Sequence, residues 1–100
     1  MNVDASVEYE IDLKEITFCK YELKTVNKRI PLSFPQLLQL RKNVYNLTKP
    51  EALYDIIDSE NFVLLFVADK QHLIYLDIPQ ILNLRNTIDS FFYSFKSVSI

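Results

Sequence analysis

The amino-acid sequence predicts an α+β fold. In this fold, two strand–strand–helix units and an N-terminal strand form a mostly antiparallel sheet, with two main helices packed on one face. Three observations lead to the prediction: a ten-residue segment occurs twice, β-favouring runs precede each copy, and apolar residues at helical spacing follow each copy. With 100 residues, of which 49% are hydrophobic, the chain suffices for a single domain over residues 1–100.

The repeated segment is LSFPQLLQLR at residues 32–41 and LDIPQILNLR at residues 76–85. Six of the ten positions are identical, and the same offset of 44 residues carries further apolar matches on both sides. Supersecondary units repeat with periods of this size. We therefore predict an internal duplication of residues 16–48 and 60–92, joined by a connector at residues 49–59.

Each copy contains a capping box, which predicts where a strand ends and a helix begins. Ser33 and Asp77 can accept a hydrogen bond from a free backbone N–H of the first helical turn. Gln36 and Gln80, three residues later, can reach back to the capping residue. A proline in the first turn of each helix removes an N–H that has no intrahelical partner.

The N-terminal part of the chain predicts three strands. Residues 7–13 alternate between apolar and acidic side chains, as in a strand with one buried face. Residues 16–23 are rich in β-favouring types, and residues 29–32 would return as the second strand of a hairpin. Asn27 is the residue of the intervening turn that we expect at positive φ.

Apolar spacing predicts the two main helices. The apolar residues of 34–47 recur in steps of 3, 4 and 3, and those of 78–95 in steps of 3, 4, 3 and 4. Thr48-x-x-Glu51 has the form of a third capping box and predicts a short connector helix that ends near Asp58. Three apolar residues of that helix should face inward: Leu53, Ile56 and Ile57.

Residues 62–68 are apolar without interruption, which predicts a central strand covered on both faces. Residues 69–71 would form a turn, and residues 72–76 the returning strand. The run is far too short to span a bilayer.

Composition excludes several classes of function. The chain has no glycine, so neither a phosphate-binding loop nor a dinucleotide fingerprint is present. Its one cysteine excludes internal disulfides and cysteine zinc clusters, and no secretory signal is evident, so we expect a cytoplasmic protein without a cofactor. The net charge of −2 favours neither nucleic acid nor a membrane surface.

Isolated polar residues do not assemble into a recognisable catalytic site. His72 is the single histidine, and we interpret it as a surface or turn residue, because a metal site or a catalytic base needs partners. We expect Cys19 to be buried and unreactive on a strand. Glu8, Glu10 and Asp12 could line one strand face, but we favour a solvated face over acid–base chemistry. The sequence therefore predicts that the protein is not an enzyme.

Arg41 and Arg85 occupy the same position in the two copies. If the units are related by a pseudo-twofold axis, the two arginines could flank a shared groove and bind an anion. The alternative, which we favour, is that each side chain covers apolar surface or pairs with a nearby acid.

The last predicted helix ends in a concentration of aromatic residues. Either these side chains enlarge the core, or they form a contact with a second copy or another protein. The candidate interface residues are Phe91, Phe92, Tyr93 and Phe95.

A hairpin followed by L-x-[FI]-P-Q-[LI]-L-x-L-R resembles the pattern of small uncharacterised bacterial proteins built from strand–strand–helix units. The resemblance covers residues 16–92 and implies a fold, with no activity, substrate or cofactor attached to it. The leading functional hypothesis is thus a non-enzymatic cytoplasmic protein that forms a homodimer or binds a protein partner. The alternative is a small-molecule or anion binder that uses a groove between the two units.

Overall fold

The computed structural model describes the backbone of residues 11–98 and the side chains of residues 11–94. The predicted α+β class is confirmed, and the strand–strand–helix order occurs twice. In chain order the elements are β1 (Asp12–Thr17), β2 (Lys20–Lys24), β3 (Arg29–Ser33), α1 (Phe34–Leu47), α2 (Pro50–Asp58), β4 (Phe62–Val67), β5 (His72–Asp77) and α3 (Ile78–Val98).

The strands of residues 11–98 lie in two antiparallel sheets, whereas the sequence suggested one. The first sheet has the order β1–β2–β3, and the second is the hairpin β4–β5. The register of β4 and β5 runs without a shift from Phe62 opposite Asp77 to Val67 opposite His72. The pairing of β1 with β2 contains an irregularity between Glu15 and Thr17.

The chain turns sharply between β1 and β2, so the strand predicted over residues 16–23 is divided: Ile16 and Thr17 end β1, and residues 20–23 belong to β2, which pairs with β3 as the predicted hairpin. Cys19 takes a positive φ of 61° at this turn, and its backbone N–H donates to the Glu15 carboxylate over 3.4 Å. Its side chain is exposed, which corrects the expectation of a buried cysteine. Asn27, expected at positive φ, is not among the residues that adopt it. In a chain without glycine, this conformation falls on Asn61 and Asp69, whose residue types tolerate it, and also on Cys19, Ala68 and Lys70, whose residue types do not favour it.

Only part of the predicted N-terminal strand lies within the described residues. Residues 7–10 lie outside the described residues, and the described strand begins at Asp12 and continues to Thr17. Leu13 is the residue of β1 that enters the core, with 6% of its surface exposed.

The core lies between the inner faces of the sheets and the apolar stripes of α1 and α3. The predicted helical spacing is confirmed from Leu37 to Val44 and from Ile81 to Ile88, where the stripe residues are buried, and Leu47 and Phe91 are half-buried. Fully burying one such side chain contributes about 1.5–3 kcal/mol. The most completely buried side chains are Leu23, Ile30, Leu37, Leu40, Val44, Ile81, Leu84 and Ile88.

Both predicted capping boxes are present at the starts of α1 and α3. The Gln36 N–H donates to Ser33 Oγ over 3.3 Å, and the Ser33 N–H donates to Gln36 Oε1 over 2.9 Å. The same two bonds join Gln80 and Asp77, each over 2.9 Å. Each box thus fixes the point at which a hairpin becomes a helix.

The third predicted capping box is wrong. The Thr48 hydroxyl donates to the Val44 carbonyl over 2.8 Å, so it closes α1 rather than opening α2. The residue before α2 is Lys49, whose side chain makes no capping bond. Of the apolar residues expected to face inward, Ile56 is buried and Leu53 half-buried, but Ile57 is 53% exposed.

The strand over residues 62–67 is covered on one face only, which corrects the expectation of a doubly covered strand. Val63, Leu65 and Val67 are buried against the core. Leu64 and Phe66, on the opposite face, are 55% and 51% exposed. Neither of the two main helices lies over that face.

Candidate functional site

Two features of the described surface are candidates for a functional role. The first is a group of polar and aromatic side chains where α1 meets α3, here called the helix-pair cluster: Arg41, Tyr45, Thr48, Arg85, Asp89 and Phe92. The second is the outer face of the β4–β5 hairpin, here called the hairpin patch: Phe62, Leu64, Phe66, Leu73 and Tyr75.

Arg85 makes several contacts within the helix-pair cluster. One of its terminal nitrogens donates to Thr48 Oγ1 over 3.3 Å, and its Nε lies 3.9 Å from Asp89 Oδ2. Its guanidinium carbon also lies 4.9 Å from the centre of the Tyr45 ring. Such contacts hold the side chain against the neighbouring helix.

Arg41 is held mainly by aromatic rings. Its guanidinium carbon lies 4.5 Å from the centre of the Phe92 ring and 5.8 Å from that of Tyr45. Arg85 lies 44 positions after Arg41, and Phe92 lies 44 positions after Thr48, the residue that Arg85 contacts. The two arginines therefore make contacts between corresponding positions of the two strand–strand–helix segments.

The geometry of the cluster favours a structural role for both arginines over anion binding. Their guanidinium groups lie on ring faces, and the Arg85 group lies beside the carboxylate of Asp89. An incoming anion would meet the negative charge of Asp89 and would have to compete with it. The cluster thus behaves as a contact between two helices, with charged stems lying over apolar surface.

Three grooves of the described surface lie between the strand–strand–helix segments, and none of the three is lined by Arg41 or Arg85. One, of about 700 Å³, lies between the turn at residues 25–28 and strand β5. Another, of about 570 Å³, lies between β2, β3 and the turn at residues 68–72. The third, of about 390 Å³, lies between α1 and the end of β4. The anion-binding alternative required both arginines beside such a groove, and they lie elsewhere.

Of the polar residues that the sequence singled out for catalysis or metal binding, those that the structure describes lie at two separate places. Cys19 and His72 line the same groove. Within the described part of the chain, no group of three or more His, Cys, Asp and Glu side chains could hold a metal ion. Asp12 is exposed on β1, and Glu8 and Glu10 lie outside the described residues.

The fold alters the titration of Tyr21. Only 4% of its surface is exposed, and burial, together with the nearby charges of Glu15 and Cys19, raises the pKa of its hydroxyl above 10.0. Phe91 packs edge-on against its ring at a centroid distance of 5.8 Å. The tyrosine is thus a core residue, and it lies at the aromatic end of α3.

Two of the four residues predicted to form the aromatic interface pack against the core. Phe91 and Phe92 are half-buried, pack against the core and contact each other edge-on at 5.8 Å. Tyr93 is 71% exposed. The side chain of Phe95 lies outside the described side chains.

The hairpin patch is an apolar face that reasoning from the sequence missed. Phe62 stacks on Tyr75 at 4.5 Å between ring centres, with 21° between the ring planes. The other patch residues are 41–61% exposed, namely Leu64, Phe66, Leu73 and Tyr75. The available signal was that both strands of the hairpin are apolar on both faces, while two main helices cover one face.

No helix within the described residues is both long enough and apolar enough to cross a membrane. Comparison of the chain with protein-family models, with curated proteins and with solved structures gave no match. The structure itself therefore defines the class: a small α+β protein of two sheets with an exposed apolar hairpin face.

Proposed function

We propose that this is a non-enzymatic protein that acts through protein–protein contact and associates with a second copy of itself through the hairpin patch. The observation that carries the proposal is the exposure of Leu64, Phe66, Leu73 and Tyr75, which lies between 41% and 61% on one continuous face. Contiguous apolar faces of this kind mark contact sites in soluble proteins.

The patch provides a driving force of the size that association requires. Fully burying an apolar side chain contributes about 1.5–3 kcal/mol, so complete coverage of the exposed halves of four patch side chains in each copy would contribute on the order of 10 kcal/mol. Association costs roughly 4–15 kcal/mol in lost freedom. The two quantities are comparable, so the patch by itself supports a weak dimer.

A second copy fits this surface better than a strongly charged partner. None of the five patch residues carries a charge, so two copies can meet without like charges in the centre of the contact. Glu60 lies exposed before β4 and Lys70 lies exposed after it. A twofold axis through the strand brings the acidic end of one copy to the basic end of the other.

The contacts of the helix-pair cluster support the proposal that residues 16–48 and 60–92 are duplicated units. Arg41 of the first unit contacts Phe92 of the second. Arg85, which corresponds to Arg41, contacts Thr48, which corresponds to Phe92. An exposed free thiol at Cys19 is consistent with a reducing compartment and supports the proposed cytoplasmic location.

The surface can be located by recording amide NMR shifts of the full chain over a concentration series. The proposal predicts shifts that move together in β4 and β5 while those around Tyr93 and Phe18 stay constant. Movement confined to Tyr93 and its neighbours would instead assign the contact to the aromatic end of α3. Constant shifts up to about 1 mM, the upper limit of a weak specific interaction, would contradict self-association.

A further inference from the structure

The open edges of the two sheets differ in how they are protected against pairing. Charges, prolines and covering segments are the usual protection. β1 exposes Lys14 and Glu15, and β3 contains Pro31, which has no N–H to donate. β5 is approached by the turn at residues 25–28, from which Lys28 Nζ donates to the Leu73 carbonyl over 2.9 Å.

Among the described residues, β4 lacks a charge, a proline and a strand on its open edge, and α1 approaches it only at its Phe66 end, where Gln36 Nε2 donates to Asp69 Oδ2 over 2.8 Å. The sequence of β4 is FVLLFV, and its register with β5 has no bulge. Within residues 11–98 its main-chain partners all belong to β5. In the first sheet, the corresponding side of β2 is covered by β1. The described part of the second sheet has no strand in that place.

The hairpin patch alone is small for a stable interface. A standard interface involves roughly 20–30 residues on each side, whereas the patch consists of five. Main-chain hydrogen bonds along a six-residue strand would add to the contact without adding charge. The open edge that could supply them belongs to the same strand as Leu64 and Phe66.

We infer that β4 pairs with β4 of a second copy, antiparallel and across a twofold axis, so that the two hairpins form one four-stranded sheet. The inference rests on the proposed self-association and gives it a geometry. Strand order in the joined sheet is β5–β4–β4–β5. The outer faces of the two hairpins then lie on the same side of the joined sheet, so the contact is made by main-chain hydrogen bonds and by Leu64 and Phe66 beside the new strand pair, while Leu73 and Tyr75 stay exposed.

The charges beside β4 define the register. Placing Glu60 of each copy at the Lys70 end of the other centres the axis on Leu65, because that residue lies midway between them. Leu64 then lies opposite Phe66 of the second copy, on the exposed face. The buried Leu65 lies beside its own counterpart on the core face.

A charge exchange between full-length chains tests this register. Glu60→Lys alone and Lys70→Glu alone should each weaken the dimer roughly tenfold, because both symmetry-related contacts become like-charged. An equimolar mixture of the two variants should recover the wild-type dissociation constant, since each chain supplies the charge that the other needs. Asp58→Lys, an exposed change on the preceding helix, is the control. It should have little effect on the dissociation constant, either alone or in a mixture with a second variant.

A second measurement does not depend on charge. In a Cys19→Ser background, a mixture of Leu64→Cys and Phe66→Cys chains should form a disulfide between the two chains under mild oxidation, and either variant alone should form far less. If the wild type dimerises but the charge mixture shows no recovery and no mixed disulfide forms, edge pairing is overturned and the proposed dimer stands. If the wild type stays monomeric, both proposals are overturned.

Discussion

The Tyr45 hydroxyl donates to Asp89 Oδ1 over 2.6 Å, and these residues, 44 positions apart, occupy the same place in the two strand–strand–helix segments. A contact between corresponding positions is expected where two similar units pack around a local twofold axis. Arg41 lies over the ring of Phe92, and Arg85 lies over the ring of Tyr45. The bond therefore belongs to the same set of contacts between α1 and α3.

The coupling between Tyr45 and Asp89 can be measured with a double-mutant cycle. Tyr45→Phe and Asp89→Asn should each lower the free energy of unfolding by about 1 kcal/mol, since a hydrogen bond to a carboxylate contributes more than a neutral one but this one is partly exposed. The double variant should lose less than the sum of the two single losses. Urea unfolding of the four proteins gives the values, and strict additivity would contradict a direct interaction.

The structural interpretation of the arginines predicts loss of stability without loss of ligand binding. Arg41→Lys should lower the free energy of unfolding by about 0.5–1 kcal/mol, because an ammonium group replaces a planar cation lying on the Phe92 ring. Lys42→Arg, an exposed neighbour on the same helix, is the matched control. Stabilisation of the wild type by phosphate that disappears in both Arg41→Lys and Arg85→Lys would instead support the anion site.

The capping boxes should contribute measurably to stability. Ser33→Ala and Asp77→Ala each remove a side-chain acceptor at a helix start and should each cost about 1 kcal/mol in thermal or urea unfolding. Lys49→Ala is the control, because Lys49 occupies the same place before α2 and makes no capping bond. Equal effects at all three positions would show that the boxes add nothing beyond helix propensity.

Tyr21 should make the protein sensitive to alkali. The folded state raises the pKa of Tyr21 above 10.0, so above about that pH the unfolded state releases the proton first. The stability present below that value is lost as the pH rises through the raised pKa. Tyr21→Phe should flatten this part of the pH–stability curve, whereas Tyr54→Phe, at a 71% exposed position, should leave it unchanged. Curves of identical slope for the wild type and Tyr21→Phe would contradict the assignment.

Local signals were sufficient to predict the main helices and the points where they begin. Ser33 with Gln36, and Asp77 with Gln80, specify the caps within four residues, and helical spacing specifies which face is buried. The role of Thr48 was ambiguous because its hydroxyl can either cap the next helix or donate back to the preceding one. In the structure it donates back to the Val44 carbonyl and accepts a hydrogen bond from Arg85.

Features that depend on other parts of the chain could not be predicted. Cys19 takes positive φ because the turn between β1 and β2 is short, and nothing in a cysteine side chain announces that conformation. An apolar strand has the same sequence whether its second face is covered by its own chain or left open. For this reason Leu64 and Phe66 were expected in the core and lie on the surface.

Sedimentation equilibrium tests the central claim most directly. It compares the wild type with the double variant Leu64→Thr/Phe66→Thr and with the control variant Phe18→Thr. Threonine suits an exposed strand position, so the double change removes apolar surface without opposing the strand. Phe18 is 88% exposed in the β1–β2 turn and does not belong to the hairpin patch. We expect the wild type and Phe18→Thr to dimerise with equal affinity and the double variant to bind roughly tenfold more weakly or not at all. Equal dimerisation by all three proteins, or a wild type that is monomeric at every concentration, would contradict self-association through the β4–β5 hairpin.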